Sequence, residues 1–119
     1  MRSDVRKSTA SGTDAADLSP TTVFQLLTDE RRRYALHYLS QKVGAVPLGE
    51  LAEQIALWEG DPTRDRYDRV LTGLSHVHLP RLTDAGVVRY DPVRETVELL
   101  EAAETVRPFL KLTVQDDLQ

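Results

Sequence analysis

The stretch His78-Leu-Pro-Arg-Leu-Thr-Asp-Ala-Gly-Val-Val88 decides the fold that this sequence predicts. It continues a helical stripe whose inward members are Leu71, Leu74, His78 and Leu82. Gly86 ends the helix, and the apolar spacing then changes from the helical period to the alternation of a strand. We therefore expect a helix from about Arg64 to Thr83, with a kink or a weakened last turn at Pro80, followed at once by strands.

On the C-terminal side of this stretch the sequence predicts a β-hairpin and one more helix. Residues 87–91 and 96–99 alternate as strands do, and residues 92–95 have the composition of the turn between them. The last helix is expected from Glu101 to about Thr113, with an irregularity at Pro108.

On the N-terminal side the sequence predicts three shorter helices. Ser19-Pro20 suits a helix start, because Ser caps free amides and Pro lacks the N–H that would be unpaired there. This first helix ends before Asp29, and a second is expected from Glu30 to about Lys42. Pro47 opens the third helix, whose apolar residues have amphipathic spacing: Leu48, Leu51, Ala52, Ile55 and Ala56.

Length and composition favour a single mostly helical α+β domain. The chain has 119 residues, of which 40% are hydrophobic and 29% charged, an ordinary globular balance. We place the domain at residues 18–113. Residues 1–17 contain almost no large apolar residue and are expected to form a disordered N-terminal tail, and residues 114–119 a short C-terminal tail.

Several function classes are disfavoured by what the sequence lacks. It has no Cys, which excludes a disulfide, a thiolate nucleophile and a Cys-containing zinc site. His76 and His78 lie about 200° apart around a helix, so they cannot chelate one metal together. No Ser/His/Asp set, Gly-rich phosphate loop or HExxH motif is present, and we expect no enzyme, metal or cofactor. With neither a membrane span nor a secretory signal, a cytoplasmic protein is expected.

Charge is distributed so that an anionic partner suits the middle of the chain. Twelve of the fifteen basic residues are Arg and Asp outnumbers Glu, which resembles the composition of proteins from salt-loving archaea. The net charge is −4, yet residues 61–94 contain six Arg against five Asp. Residues 31–33 are three consecutive Arg at a helix start, where positive charge opposes the helix dipole, and this placement suggests a partner.

Three features together carry a family resemblance: the short amphipathic helix Leu48–Ile55, the helix end Leu79–Val88, and the hairpin that follows at once. The order of helices and hairpin resembles the winged helix-turn-helix of ArsR- and MarR-type regulators. In those proteins L-x-x-L-x-x-A-G-[LV]-[LV] closes the recognition helix, and [LV]-x-[ED]-L-A-x-x-[IL] is the helix before it. The chain from about Leu18 to Leu112 also resembles a family of small winged-helix proteins of halophilic archaea. The segments that carry this second resemblance are Asp29-Glu-Arg-Arg-Arg-Tyr34, Leu48-Gly-Glu-Leu-Ala-Glu53 and His78 to Val88.

The resemblance implies a sequence-specific transcriptional regulator that binds double-stranded DNA, with the fourth helix in the major groove and the hairpin as a flanking wing. Candidate contacts on the outward face of the fourth helix are Arg66, Arg69, Thr72, Gly73, His76 and Val77. Arg89 and Arg94 on the hairpin are candidates for the minor groove or the backbone. In the alternative interpretation, Arg66 and Arg69 pair with Asp65 or Asp68 on a solvated face, and Arg94 pairs with Glu95.

One departure from the family pattern leaves a second function class open. The connection between the third and fourth helices runs from Leu57 to Thr63 or Arg66 and contains Trp58, whereas a tight helix-turn-helix uses about 3–4 residues. The alternative is a protein–protein interaction module that keeps the scaffold and no longer binds DNA, which the acidic net charge favours. In a salt-rich cytosol, however, base-edge and apolar contacts carry more of the affinity for DNA.

A homodimer is expected, because one recognition helix covers only a half-site. The proposed interface residues on the end helices are Val23, Phe24, Leu27, Val106, Phe109, Leu110 and Leu112. This expectation assumes that helices two to four and the hairpin close the core by themselves. The alternative is that the last helix folds back on its own domain. His78 is expected to be a packed core imidazole and Trp58 a cover over the core edge.

Overall fold

The computed structural model describes residues 18–117, with side chains described as far as Thr113. The predicted tail at residues 1–17 and the final residues 118–119 lie outside the described residues. The helices are α1 Pro20–Leu26, α2 Glu30–Ser40, α3 Leu48–Trp58, α4 Arg64–Gly73, α5 Leu79–Asp84 and α6 Arg107–Asp117. A π-turn at Leu74–His78 joins α4 to α5, and a 3-10 helix at Glu101–Thr105 precedes α6.

A three-stranded antiparallel sheet completes the fold. Its strands are β1 Val46–Pro47, β2 Val88–Asp91 and β3 Thr96–Leu99, in the order β1-β3-β2. The hairpin predicted from the sequence is confirmed, with Val88 opposite Leu99 and Asp91 opposite Thr96. Strand β1 was not predicted, because two residues are too few to show an alternating pattern. The chain is thus α+β and mostly helical, and none of the helices over residues 18–117 has the length and hydropathy that a membrane crossing needs.

The core draws on every helix and on the sheet. Its largest fully buried side chains are Leu36, Leu51, Ile55, Leu74, Leu82, Val23, Val70, Val87, Val97 and Val106. Val23 comes from α1, and Val106 lies at the junction of the 3-10 helix with α6. The expectation that helices two to four and the hairpin close the core alone is therefore wrong, because both ends of the described chain supply fully buried residues.

The long fourth helix of the prediction is interrupted, and Pro80 explains the place. The N–H of Leu79 donates to the carbonyl of Leu74, five residues back, so the turn before Pro80 is a π-turn. A proline ring inside a helix clashes with the carbonyl four residues earlier, and a wider turn relieves this clash. The expected irregularity thus falls in residues 74–78, just N-terminal to Pro80, and α5 then continues to Asp84.

The last helix also differs from its prediction at both ends. It begins at Arg107, so Pro108 lies in the first turn, where its missing N–H is not needed. It continues to Asp117, beyond the predicted helix end at about Thr113 and into the residues assigned to the C-terminal tail. No Gly or Pro follows Pro108 in the sequence, so nothing in this segment stops a helix.

Candidate nucleic-acid interface

Helix α4 and the π-turn have one buried side and one exposed side. Val70, Leu74 and His78 face the core, and His78 is 6% exposed, which confirms it as a packed imidazole. Thr63 caps the start of α4 by accepting a hydrogen bond from the backbone N–H of Arg66. The connection from α3 is the five-residue loop 59–63, in which Gly60 adopts a φ of +83°. The loop is shorter than the sequence suggested, because Trp58 belongs to α3.

Four of the predicted DNA contacts lie on the exposed side: Arg69, Thr72, His76 and Val77. Arg69 Nε is 3.1 Å from Asp65 Oδ2, and both side chains are more than two-thirds exposed, at 69% and 76%. Arg64 pairs with Asp68 in the same way, at 3.2 Å. Exposed pairs of this kind contribute little to stability, so Arg69 can leave Asp65 for another anion at small cost.

Arg66 and Gly73 are half-buried, so the expectation that they lie on the exposed face with the other candidates is wrong. Arg66 Nη1 donates to Glu59 Oε1 at 2.8 Å, and its Nη2 is 3.6 Å from Asp61. The sequence had suggested Asp65 or Asp68 as its partner. A Cβ added at Gly73 would meet Arg31 Nη1 at 3.2 Å, so this position is directed toward the protein itself.

Arg66 belongs to an ion-pair cluster centred on Glu59, defined here as Arg31, Glu59 and Arg66. Arg31 donates to Glu59 through Nε at 2.6 Å and Nη2 at 3.2 Å, and the Glu59 side chain is only 8% exposed. Burial would raise the pKa of Glu59, but the hydrogen bonds from the two arginines outweigh burial and hold this pKa below its usual range. The cluster ties the start of α4 to the start of α2 and the end of α3.

The second and third arginines of residues 31–33 also have internal partners. Arg32 is buried, and it donates to the carbonyls of Leu26 at 2.8 Å and Gln25 at 3.0 Å. Arg33 donates to the carbonyl of Leu27 at 2.6 Å. These carbonyls lie at the C-terminal end of α1, where a cation is favourable. The guanidinium groups of Arg32 and Arg33 therefore bind the preceding helix, which accounts for positive charge at this helix start without an external partner.

Arg32 also contacts the π-turn through His78. Its Nη1 lies 3.3 Å from His78 Nδ1, and Asp29 Oδ1 lies 3.8 Å from His78 Nε2. Because a guanidinium only donates, Nδ1 accepts and the ring proton is on Nε2, facing Asp29. Burial lowers the pKa of His78, and the charge of Asp29 opposes this only in part. The ring is therefore neutral near pH 7.

The hairpin presents one arginine that is bound and one that is not. Arg89 Nη2 is 2.5 Å from Glu98 Oε1 on the neighbouring strand. Arg94 lies exposed at the tip, and its side chain has no ion-pair or hydrogen-bond partner in the part of the chain that the structure describes. The suggested pairing of Arg94 with Glu95 is therefore absent there. The turn is held instead by Asp91, whose Oδ1 accepts from the backbone N–H groups of Val93 and Arg94.

The end helices retain only part of the apolar surface that the dimer prediction used. Four of the proposed interface residues are in the core and cannot face a partner: Val23, Leu27, Val106 and Leu110. The alternative in which the last helix folds back on its own domain is correct for Val106 and Leu110, which the prediction placed on that helix. Phe24, Phe109 and Leu112 remain exposed, at 54%, 40% and 68%. The two phenylalanine rings form an edge-to-face pair with centroids 5.5 Å apart.

Trp58 packs where the sequence analysis expected it, over the edge of the core. Its ring is half-buried and lies 5.5 Å from Tyr34 and 5.4 Å from His37, between ring centroids. Over residues 18–113, no group of three or more His, Asp or Glu side chains is arranged to hold a metal ion.

The internal roles of Glu59 and Arg32 escaped sequence analysis. Glu59 is the first residue after an amphipathic helix, a position that reads as solvent-exposed. The available signal was the run of three arginines directly after a short helix, since cations pair well with a helix C-terminus.

Comparison with known proteins gives one match. Residues 24–98, more than half of the chain, match the family model of a Domain of unknown function (DUF7344). The chain belongs to this family. The matched segment runs from α1 to the end of the hairpin and does not include α6. No match was found among curated proteins or among solved structures.

Proposed function

We propose that this protein is a sequence-specific DNA-binding transcriptional regulator built on a winged helix-turn-helix. In this proposal α3 and α4 are the helix pair, and the β2–β3 hairpin is the wing. The topology supports it, because β1 precedes α3 and pairs with β3 at the sheet edge opposite β2. A regulator of this kind acts in the cytoplasm, where a prokaryotic chromosome lies.

The observation that carries the proposal is that α4 and the π-turn have a buried side that packs on the protein and an exposed polar side. The buried side is held by the core and by the Glu59 cluster, so the helix is rigidly positioned. The exposed side offers Arg69, Thr72 and His76, three side chains that hydrogen-bond base edges or phosphates. A rigid helix with a polar exposed face is what direct readout in a major groove requires.

The wing provides a second contact through Arg94. Among the arginines of residues 61–94 it is one whose guanidinium has no carboxylate partner in the described chain, and it sits at an exposed turn. An arginine at such a tip suits the narrow, strongly negative minor groove of A·T-rich DNA. Arg89 is a weaker candidate, because contact with DNA would require it to leave Glu98.

Selection from random duplexes, followed by fluorescence anisotropy over a range of salt concentrations, tests the proposal. Arg69→Ala is expected to weaken binding by roughly 1–3 kcal/mol if Arg69 reads a base. The matched control is Arg107→Ala, because Arg107 also pairs with a carboxylate close to it in sequence, Glu104 at 3.0 Å, but lies outside α4. The control should bind as the wild type does. If no duplex binds saturably at any salt concentration, the proposal is wrong.

One observation favours the second candidate, a protein–protein interaction module. The three arginines of α4 each already have a carboxylate partner within the described residues: Arg64 with Asp68, Arg66 with Glu59, and Arg69 with Asp65. A helix with its charges internally neutralised attracts phosphate weakly. This class stands if the selection yields no duplex.

We further propose that the regulator is a homodimer through the exposed residues of its end helices, Phe24, Phe109 and Leu112. The support is their exposure on two helices that lie together, as the ring contact between Phe24 and Phe109 shows. Two-fold symmetry would present two α4 helices to two half-sites.

A further inference from the structure

Val77 is the apolar side chain that stands out on the proposed DNA-reading face. It is 44% exposed, whereas the other exposed positions of residues 72–77 are Thr72, Ser75 and His76. The core does not need it, since Leu74 and His78 fill the inward positions of the same turn. Valine is also a weak helix former, so it gains nothing as a solvated helix residue.

The π-turn accounts for the position of Val77. With Leu74 and His78 both inward and the Leu79 N–H bonded to the Leu74 carbonyl, the turn contains one residue more than an α-helical turn. The wider turn leaves three consecutive residues, 75–77, on the outer side. Val77 is thereby exposed beside His76.

Residues 72–77 include no acidic side chain, lysine or arginine that could contact a base. The arginines earlier in α4 are already paired with carboxylates, and the next charged side chain along the chain is the exposed Arg81, which lies beyond Pro80 in α5. Sequence discrimination by residues 72–77 themselves must therefore come from hydrogen bonds of Thr72, Ser75 and His76 or from apolar contact. In the major groove the apolar group that a base offers is the C5-methyl of thymine.

We propose that Val77 is a specificity-determining residue that contacts a thymine methyl group, so that the recognised site contains a thymine at the position facing the π-turn. The inference rests on the proposed function. Burying one methyl group against valine corresponds to a gain of about three- to fivefold in affinity. This contact is not screened by salt, because neither group is charged.

A thymine-to-uracil scan of the selected duplex tests the contact, because uracil lacks the C5-methyl and keeps the pairing edge. The wild type is expected to lose about three- to fivefold at one thymine position. Val77→Ala should lose about as much on the unmodified duplex and should be insensitive to uracil at that position. The matched control is Val93→Ala, since Val93 is an exposed valine at the wing tip, 90% exposed, and should keep the full uracil effect.

The outcomes separate this inference from the proposed function. Saturable binding that is sensitive to Arg69→Ala, without a methyl effect at any thymine, overturns the role of Val77 and leaves the function standing. A methyl effect that persists in full in Val77→Ala does the same, because the two losses then add independently. If no duplex binds at any salt concentration, both proposals fail. Circular dichroism of Val77→Ala should match the wild type, because the side chain lies outside the core.

Discussion

Replacing Glu59 with Gln is expected to lower the free energy of unfolding by about 2–3 kcal/mol. The carboxylate accepts three hydrogen bonds from Arg31 and Arg66, at 2.6, 3.2 and 2.8 Å. Breaking a fully buried pair costs about 3–5 kcal/mol, and an exposed pair contributes about 0–1 kcal/mol. The Glu59 side chain is 8% exposed but the arginines are 28% and 30% exposed, so water recovers part of the loss. The expected loss therefore lies between the value for an exposed pair and the value for a fully buried pair.

Thermal and urea unfolding followed by circular dichroism measure this loss. For a domain of about 100 residues it corresponds to a fall in Tm of roughly 10–20 °C. The matched control is Glu98→Gln, which breaks the exposed pair with Arg89, where the two side chains are 34% and 66% exposed. It should cost less than about 1 kcal/mol and lose its effect at high salt, whereas the loss at Glu59 should persist. A Glu59→Gln variant no less stable than Glu98→Gln would refute the reasoning.

The Glu59 carboxylate also makes the stability of the fold depend on pH in the acid range. Its pKa in the fold lies below that of the unfolded chain, about 4.3, because the two arginines stabilise the ionised form. The contribution of the Glu59 ion pairs to the free energy of unfolding is therefore fully present above the unfolded-state pKa. It is lost as the pH falls through the lower pKa that Glu59 has in the fold. In Glu59→Gln this part of the pH dependence should disappear.

Three further expectations concern other parts of the molecule. Burial lowers the pKa of His78 below its ordinary value of about 6.5, so the unfolded state binds the proton first as the pH falls. The free energy of unfolding should therefore decrease below about pH 6.5, and an NMR titration should give a His78 midpoint below that pH. Arg32→Met should cost about 2–4 kcal/mol in urea unfolding, because the Leu26 carbonyl loses its buried donor and the Gln25 carbonyl loses one of its donors. A loss below about 0.5 kcal/mol would show that those bonds are dispensable. Light scattering should give a mass of about twice 13.4 kDa for the wild type and the mass of one subunit for Phe109→Asp. The variant should keep the helical circular dichroism of the wild type. A Phe109→Asp variant that stays dimeric or unfolds would contradict the proposed interface.

Elements that depend on local pattern were predictable within a few residues. The third helix and the hairpin were found because their apolar periods and their Gly and Pro boundaries are properties of neighbouring residues. The exposed candidates Arg69, Thr72, His76 and Val77 follow from the same periodicity, since the buried stripe of a helix defines its opposite side. Arg94 follows from the turn composition of residues 92–95. The exposed positions expected for Arg66 and Gly73 were wrong because Glu59 and Arg31, from other parts of the chain, lie against them.

The division between sequence and tertiary structure is clearest at residues 31–33. The sequence by itself determined that three arginines follow a short helix and begin a second one, because caps and periods are set within one or two turns. Only the tertiary structure decided that Arg31 meets Glu59, 28 positions away, and that Arg32 meets His78, 46 positions away. Such contacts depend on how the helices pack, and helix packing depends on the whole core rather than on the residues between. The core therefore decides which arginines are bound internally and which remain exposed to a partner.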